Sequence, residues 1–171
     1  SAIYAIWDKQ DNACAGDCVG EITITIQNED GSEMIEWSDG GTGLIRTNLC
    51  AGTYQWTITD GYGNSITSPV VTIITPEPIK LEVEIKGESC ENKGDGQATI
   101  KVNGGVPAYV IEWDGVLGGQ TANLGNGAHL IEVTDANGCK SDTLVHMPSV
   151  ISANLSAEVK DAICETGGEL T

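Results

Sequence analysis

The sequence predicts an all-β protein made of tandem small immunoglobulin-like β-sandwich repeats of about 75 residues. Three observations support this prediction. Apolar residues alternate with a period of two, as in Ile22, Ile24 and Ile26, which is typical of strands with one buried face. Glycine accounts for 22 of the 171 residues and clusters with Asn and Asp between these runs, as turns require. The chain also aligns with itself at a shift close to 75 residues.

The internal alignment has three parts. The tripeptide Ile35-Glu36-Trp37 recurs as Ile111-Glu112-Trp113, at a shift of 76 residues. Residues 48–63 align with residues 123–138 at a shift of 75, and residues 81–91 align with residues 155–165 at a shift of 74.

The alignment predicts three segments: repeat unit 1 at residues 1–76, repeat unit 2 at residues 77–150, and the first strand of a truncated third repeat at residues 151–171. We therefore expect the chain to be a piece of a longer protein. Prolines mark the boundaries at Pro76-Glu77-Pro78 and near Pro148, and they stiffen these short connectors. The sequence thus predicts a rod of two units joined end to end.

Each repeat unit is predicted to contain about six short strands and no helix, because the apolar period is two and not 3.6. Trp37 and Trp113 lie on the apolar face of their strands and are predicted to fill the core, with a ligand platform as the alternative. Tyr54 follows a turn at the start of a strand, where a tyrosine corner could tie two sheets together. His129 takes that place in repeat unit 2, and we predict that it is structural.

The six cysteines, at positions 14, 18, 50, 90, 139 and 164, indicate disulfides and an oxidising compartment. A zinc site would need two close pairs, and only Cys14 and Cys18 are close in sequence.

The ends of repeat unit 2 each carry a cysteine. Cys90 precedes its first full strand and Cys139 follows the turn after its last long one, so we predict a Cys90–Cys139 disulfide. In repeat unit 1, Cys50 is predicted to pair with Cys14 or Cys18, and the sequence leaves this choice open. Cys164 corresponds to Cys90, so its partner is expected beyond Thr171.

The charge balance excludes several classes of partner. The chain carries 25 acidic and 8 basic residues, which gives a formal net charge of −17. Binding to nucleic acid needs clustered Lys and Arg, and anionic membrane surfaces repel an acidic chain. The longest apolar stretch, residues 69–74, is far shorter than the ~20 residues of a spanning helix. We therefore expect no nucleic-acid partner and no membrane insertion.

No pattern of catalytic residues stands out. The chain has no GxSxG, P-loop, HExxH or dinucleotide motif, and neither His129 nor His146 has a nucleophile at a recognisable spacing. Thr59-Asp60 and Thr134-Asp135 each come shortly before a glycine, which is typical of turns in which Asp caps backbone amides. A calcium site at these turns is the alternative, and we expect at most weak binding because the acidic residues are scattered. The sequence predicts no catalytic residue, no cofactor-binding residue and no metal site.

Repeat unit 2 resembles the SprB repeat family. The resemblance rests on Cys90, Gly96, Gly104-Gly105-Val106-Pro107-Ala108-Tyr109, Trp113, Asn123-Leu124, Gly127, the segment VTDANGC at residues 133–139, and Pro148. It is looser in repeat unit 1, which lacks the GGVPAY element and the final cysteine. The family forms long arrays in cell-surface adhesins of gliding bacteria, exported by the type IX secretion system. The resemblance implies a secreted, surface-displayed array unit without catalytic activity, and it assigns no binding residues.

Three functions are compatible with these features. The first is a structural or adhesive spacer in a large extracellular filament, with neighbouring repeats of the same chain as its partners. The second is a module that binds extracellular polysaccharide, for which Tyr62 in the turn Asp60-Gly61-Tyr62-Gly63 is the best candidate platform. The third is an accessory module of a secreted enzyme. The first is the prediction, and the other two are its alternatives.

Overall fold

The computed structural model describes residues 3–27, 31–90 and 93–149. These ranges contain fifteen strands and no helix, which confirms the all-β prediction. No segment in these ranges forms a helix long and apolar enough to cross a membrane. The predicted third repeat at residues 151–171, with Cys164, lies outside the described residues.

The chain divides into two compact units. Unit 1 contains the chain up to Pro78 together with two short segments, Gly104–Val106 and Asn137–Cys139. Unit 2 contains the remaining described residues, from Ile79 onward.

Unit 1 is a sandwich of two antiparallel layers. One layer is the sheet β1-β2-β4, and the other consists of the sheet β3-β6-β7 with the strand pair β5-β8. Alternation in β2 buries Ile22 and Ile24 between the layers, as the period of two predicts. The strands are β1 (Tyr4–Gln10), β2 (Gly20–Gln27), β3 (Met34–Trp37), β4 (Ile45–Leu49), β5 (Gly52–Tyr54), β6 (Trp56–Thr59), β7 (Ser65–Thr67) and β8 (Val71–Ile73).

Unit 2 places a three-stranded sheet, β9-β10-β13, against a four-stranded sheet, β12-β11-β14-β15. Seven antiparallel strands in this arrangement form an immunoglobulin-like sandwich. Its strands are β9 (Lys80–Lys86), β10 (Gly96–Asn103), β11 (Val110–Trp113), β12 (Val116–Gly118), β13 (Thr121–Leu124), β14 (Gly127–Thr134) and β15 (Lys140–Met147).

The two tryptophans predicted to be core residues are buried. Trp37 is 3% exposed and Trp113 is 5% exposed. Each indole nitrogen donates a hydrogen bond to a glycine carbonyl six residues later, Gly43 at 2.9 Å and Gly119 at 3.0 Å. The bond satisfies the buried donor, so the core interpretation is confirmed in both units.

Unit 1 has eight described strands and unit 2 has seven, where the sequence predicted about six in each. The difference in unit 1 arises partly because Tyr54, Trp56 and Ile58 alternate in the sequence as in a single strand, whereas the structure interrupts this segment at Gln55. The Gln55 side chain donates to the Ser68 carbonyl (2.8 Å), and Pro69 lies in the gap between β7 and β8. Since proline cannot donate to a ladder, the last strand of unit 1 is split in two.

The hairpin β11–β12 turns at Asp114 and Gly115. Both residues have positive φ, 52° and 78°. Asp-Gly is the pair that a two-residue turn with positive φ at both positions favours, because its twist matches that of the strands.

Gly104 and Gly105 lie against the proline connector, within unit 1. The Gly105 amide donates to the Glu77 carbonyl at 2.7 Å. Gly104 has φ +76°, and a Cβ there would overlap the Pro78 carbonyl oxygen. Gly104 of the GGVPAY element is therefore required by close backbone contact, and Gly105 has a positive φ of 63°.

The disulfides differ from the prediction at one point. Cys18 pairs with Cys50, which is one of the two predicted alternatives. Cys139 pairs with Cys14, with Cα atoms 5.5 Å apart, so the predicted Cys90–Cys139 disulfide is wrong.

The reason is spatial. Asn137–Cys139 belongs to unit 1, and the Asn137 side chain donates to the Ala13 carbonyl (3.0 Å), next to Cys14. Sequence order had suggested that both cysteines of a repeat unit pair with each other. Cys90 is also disulfide-bonded, and none of the five described cysteines is free.

Candidate functional site

A groove of about 260 Å³ lies in unit 1 along the seam between its two layers. One wall comes from β1 and the residue before it, and the other comes from β7 and the two residues after it. Both β1 and β7 are edge strands. The lining residues are Ile3, Tyr4, Ala5, Trp7, Trp56, Ile66, Thr67, Ser68 and Pro69.

Three aromatic side chains line this groove, which we call the Trp7 groove. Trp56 is 2% exposed and lies in the core, whereas Trp7 is 40% exposed and Tyr4 is 53% exposed. The Trp7 and Trp56 rings meet edge to face, with centroids 5.9 Å apart and planes at 76°. Trp56 therefore holds Trp7 in place while part of the Trp7 surface faces solvent.

Hydrogen bonds fix the second wall of the groove. Ser68 Oγ accepts from the Trp56 amide (3.1 Å), and the Ser68 amide donates to the Trp56 carbonyl (2.9 Å). The hydroxyl of Thr67 pairs with that of Thr57 at 3.0 Å. The wall is therefore formed before any ligand arrives.

Unit 2 carries different side chains at the corresponding positions. Trp7 lies opposite Ile24 in the β1–β2 pair, and Val83 lies opposite Ile100 in the β9–β10 pair. Trp56 lies opposite Trp37, and Ile131 lies opposite Trp113. Strand β15 is unbroken, and it is in contact with β9.

Sequence reasoning missed this groove, although two signals for it were present. The alignment at a shift of 76 sets Tyr4 against Lys80 and Trp7 against Val83, so the aromatic residues are specific to the first segment. Pro69 falls inside the apolar stretch at residues 69–74, which marks a break in the strand that would close the seam.

Tyr62, the platform predicted from the sequence, is 86% exposed in the turn after β6. Asp60 fixes this turn, because its Oδ1 accepts from the amides of Tyr62 (2.9 Å) and Asn64 (2.8 Å). Hydrogen bonds from the Asn64 side chain and from these amides lower the pKa of Asp60. The capping role predicted for Asp60 is confirmed, and its counterpart Asp135 is buried.

Tyr54 and His129 occupy the same kind of corner. The Tyr54 hydroxyl donates to the Cys50 carbonyl at 2.9 Å, and His129 Nε2 lies 3.0 Å from the Gly125 carbonyl, in each case four residues upstream. This confirms the tyrosine corner and the structural role of His129.

His129 Nδ1 also lies 2.7 Å from Asp114 Oδ2. Since both partners only accept hydrogen bonds, the doubly protonated imidazolium satisfies both contacts.

We expect His129 to make the stability of unit 2 pH-dependent. The hydrogen bond to Asp114 raises the pKa of His129 above its ordinary 6.5 and lowers that of Asp114 below 3.8. The histidine contributes stability below pH 6.5 that is lost as pH rises through its folded-state pKa, and the aspartate contributes stability that is lost as pH falls below 3.8. The melting temperature should therefore fall as pH rises above 6.5.

The matched control is His129→Tyr, which introduces the residue found at the equivalent position of unit 1, Tyr54, and keeps a hydrogen-bond donor toward the Gly125 carbonyl. Scanning calorimetry should give a smaller change in melting temperature over the same pH interval for this variant. An equal change in both proteins would contradict the assignment to His129.

Two buried polar residues cap the loop before the second strand of each unit. Asn12 Oδ1 accepts from the amides of Val19 (2.7 Å) and Gly20 (2.8 Å), and Glu88 Oε1 accepts from that of Gly94 (3.0 Å). The Oε2 atom of Glu88 is buried and has no partner among the described residues. No group of three or more His, Cys, Asp or Glu side chains in the described ranges is placed to hold a metal ion.

Comparison with solved structures gives distant similarities. The chain is similar to a C-terminal 282-residue fragment of intimin, solved with the translocated intimin receptor, at 14% identity and a TM-score of 0.46 over 86% of this chain and 64% of that one. It is also similar to three N-terminal domains of the bacteriophage RB49 highly immunogenic outer capsid protein, at 15% identity and a TM-score of 0.44 over 85% and 59%.

A third similarity is to fibronectin(III)-like modules of Clostridium thermocellum CbhA, at 17% identity and a TM-score of 0.38 over 91% and 100%. No family model and no curated protein matches the chain. The chain spans less than two thirds of the intimin fragment and of the capsid protein domains. The assignment of the fold rests on the strand order and pairing described above.

Proposed function

We propose that this chain is a non-catalytic repeat segment of a large secreted cell-surface adhesin or filament, in which it acts as a spacer and adhesive array. The observation that carries the proposal is that the positions shared by the two units are structural. Trp37 and Trp113 bond to glycine carbonyls in the same way, and Tyr54 and His129 form the same corner. A duplicated active site would keep reactive side chains in both copies, whereas a spacer keeps its core and turns.

The resemblance to the SprB repeat extends the proposal. A member of that family would be displayed outside the cell after type IX secretion and would serve in gliding motility. The disulfides Cys14–Cys139 and Cys18–Cys50 support an extracellular location, since such bonds persist in oxidising compartments. Neighbouring repeats of the same chain are the proposed partners, in an end-to-end array.

Deletion in the parent protein tests this function. Removing both units should shorten the surface filament and weaken attachment, without loss of any hydrolytic or transfer activity. A replacement by two unrelated immunoglobulin-like units of equal length is the control, because it restores length without restoring this surface. A polysaccharide or peptide cleaved by the purified chain, at a rate abolished by one carboxylate substitution, would contradict the proposal.

The alternative function is polysaccharide binding, and the exposed aromatic surfaces of unit 1 favour it. Tyr62 is the platform that the sequence predicts, and the Trp7 groove is the one that the structure adds. Both functions are compatible with an extracellular location. An accessory module of a secreted enzyme remains the third hypothesis, for which the complete reading frame is the test.

A further inference from the structure

We propose that the Trp7 groove binds a neutral polysaccharide chain. The inference rests on the proposed adhesive function and names the ligand class and the surface through which it acts. Four features carry it: aromatic exposure, an open seam that the fold does not need, an uncharged lining, and polar atoms without partners.

The first feature is aromatic exposure in a concave site. Trp7 is 40% exposed in the groove, and Tyr4, which borders it, is 53% exposed three residues earlier, on the opposite face of β1. Contiguous exposed apolar surface in a concave site is typical of a binding surface. Sugar rings offer an apolar C–H face to an aromatic ring and direct their hydroxyls to the sides, and Trp and Tyr combine an apolar body with a polar edge.

The second feature is that the fold does not require this arrangement. In unit 2 the positions equivalent to Trp7 and Trp56 are occupied by Val83 and Ile131. The strand that closes the seam there, β15, is continuous. In unit 1 that strand stops at Thr67 and resumes at Val71, which opens the seam beside Trp7. Unit 1 thus differs from unit 2 in two coupled ways, an open seam and added aromatic rings.

The third feature is charge. None of the nine lining residues is charged, in a chain that carries 25 acidic side chains and a net charge of −17. Anionic polymers such as alginate or pectate would be repelled by the surrounding field. An uncharged polymer meets no such repulsion, so the ligand is a neutral polysaccharide.

The fourth feature is unused hydrogen-bonding capacity. Neither the Tyr4 hydroxyl nor the Trp7 indole nitrogen bonds to another residue in the described ranges. Both atoms can bond sugar hydroxyls beside the stacked ring.

The groove volume of about 260 Å³ is smaller than the roughly 300–1,000 Å³ of enclosed small-molecule pockets, which suits a polymer that crosses the groove.

An added peptide strand fits this seam less well. The C-terminal end of β1 is tied to the segment around β8, because Lys9 Nζ donates to the Thr72 carbonyl (2.7 Å) and the Asn12 amide, just after β1, donates to the Ile74 carbonyl (3.0 Å). Only the first few residues of β1 present a free edge there, which is short for strand addition.

The test is affinity electrophoresis of the 171-residue chain in gels that contain soluble polysaccharides. Neutral β-glucan, xyloglucan and mannan form one arm, and alginate and polygalacturonate form the other. We expect retardation by at least one neutral polymer, insensitive to added salt, and none by the anionic polymers. Tryptophan fluorescence should change on binding, because Trp7 lines the groove.

The variants are Trp7→Val, which introduces the residue found at the equivalent position of unit 2, and Tyr4→Ala, which removes the exposed ring that borders the groove. Each should weaken binding about tenfold or more, the effect of losing one aromatic contact. Leu117→Ala, at an exposed position of unit 2, is the control and should bind as the unchanged chain does, whereas Tyr62→Ala tests the other candidate platform. Melting curves verify that each variant is folded, and Tyr4→Ala decides the test if Trp7→Val is not.

Two results would overturn the inference: no neutral polymer retards the chain, or Tyr62→Ala alone abolishes binding. The deletion experiment is independent of these results. A filament that shortens on deletion, combined with no polysaccharide binding, would retain the spacer function and reject the groove.

Discussion

Replacing Cys14 and Cys139 together by serine is expected to lower the free energy of global unfolding by about 5 kcal/mol. The bond joins residues 125 positions apart, and a cross-link that closes so long a loop removes much conformational entropy from the unfolded chain. Replacing Cys18 and Cys50, which are 32 positions apart, should cost about 3.7 kcal/mol in the same chain-entropy model. Unfolding in guanidinium chloride measures both losses.

The two double variants control for each other, because each removes one bond and adds two hydroxyls, which are half-buried at positions 14 and 139 and exposed at positions 18 and 50. A larger loss for the Cys18 and Cys50 pair would contradict the loop-length argument. Peptide mapping without reduction gives a direct check of the pairing. A fragment that joins Cys90 to Cys139 would contradict the structure.

Disulfide pairing is the feature that sequence order predicted least well. Repeat unit 2 offered Cys90 and Cys139 at its two ends, and a bond within the unit was the simplest choice. The partner of Cys139 is determined by which cysteine lies next to its turn in the fold. The turn at Asn137–Cys139 lies beside Ala13 and Cys14. No local pattern carries information about a contact between residues so far apart in sequence.

Local features were predicted better, because they depend on a few neighbouring residues. The period of two predicted β2, and the apolar face of their strands predicted that Trp37 and Trp113 lie in the core. The capping Asp60 was predictable because Asp accepts hydrogen bonds from the amides of its own turn.

The candidate groove could not be predicted in the same way. It depends on the joint effect of Pro69, which interrupts the last strand, and of Gln55 and Ser68, whose bonds hold the two strands at the break. In the sequence, Trp7 is one of five consecutive apolar or aromatic residues at positions 3–7, and nothing local distinguishes it from them. Its partial exposure follows from the missing cover of a continuous strand.

Replacing Trp113 by alanine is expected to lower the free energy of unfolding of unit 2 by about 3 to 5 kcal/mol. The indole fills the core between the two sheets, where its neighbours include Ile111, Ile131 and Val133. It also fills space that Gly118 leaves open, since a Cβ on Gly118 would lie 2.7 Å from Trp113 Cδ1. Alanine leaves a cavity that these close-packed neighbours cannot fill, and it leaves the Gly119 carbonyl without its donor.

Trp113→Phe separates the two contributions. It keeps a ring in the core and removes only the donor to Gly119 with part of the volume, so we expect a loss of about 1 to 3 kcal/mol. Tyr62→Ala, at an exposed turn, should change stability by no more than about 0.5 kcal/mol. Denaturant unfolding followed by circular dichroism measures all three variants. Equal losses for Trp113→Ala and Tyr62→Ala would mean that Trp113 is not a core residue, and would reopen the ligand-platform alternative for this side chain.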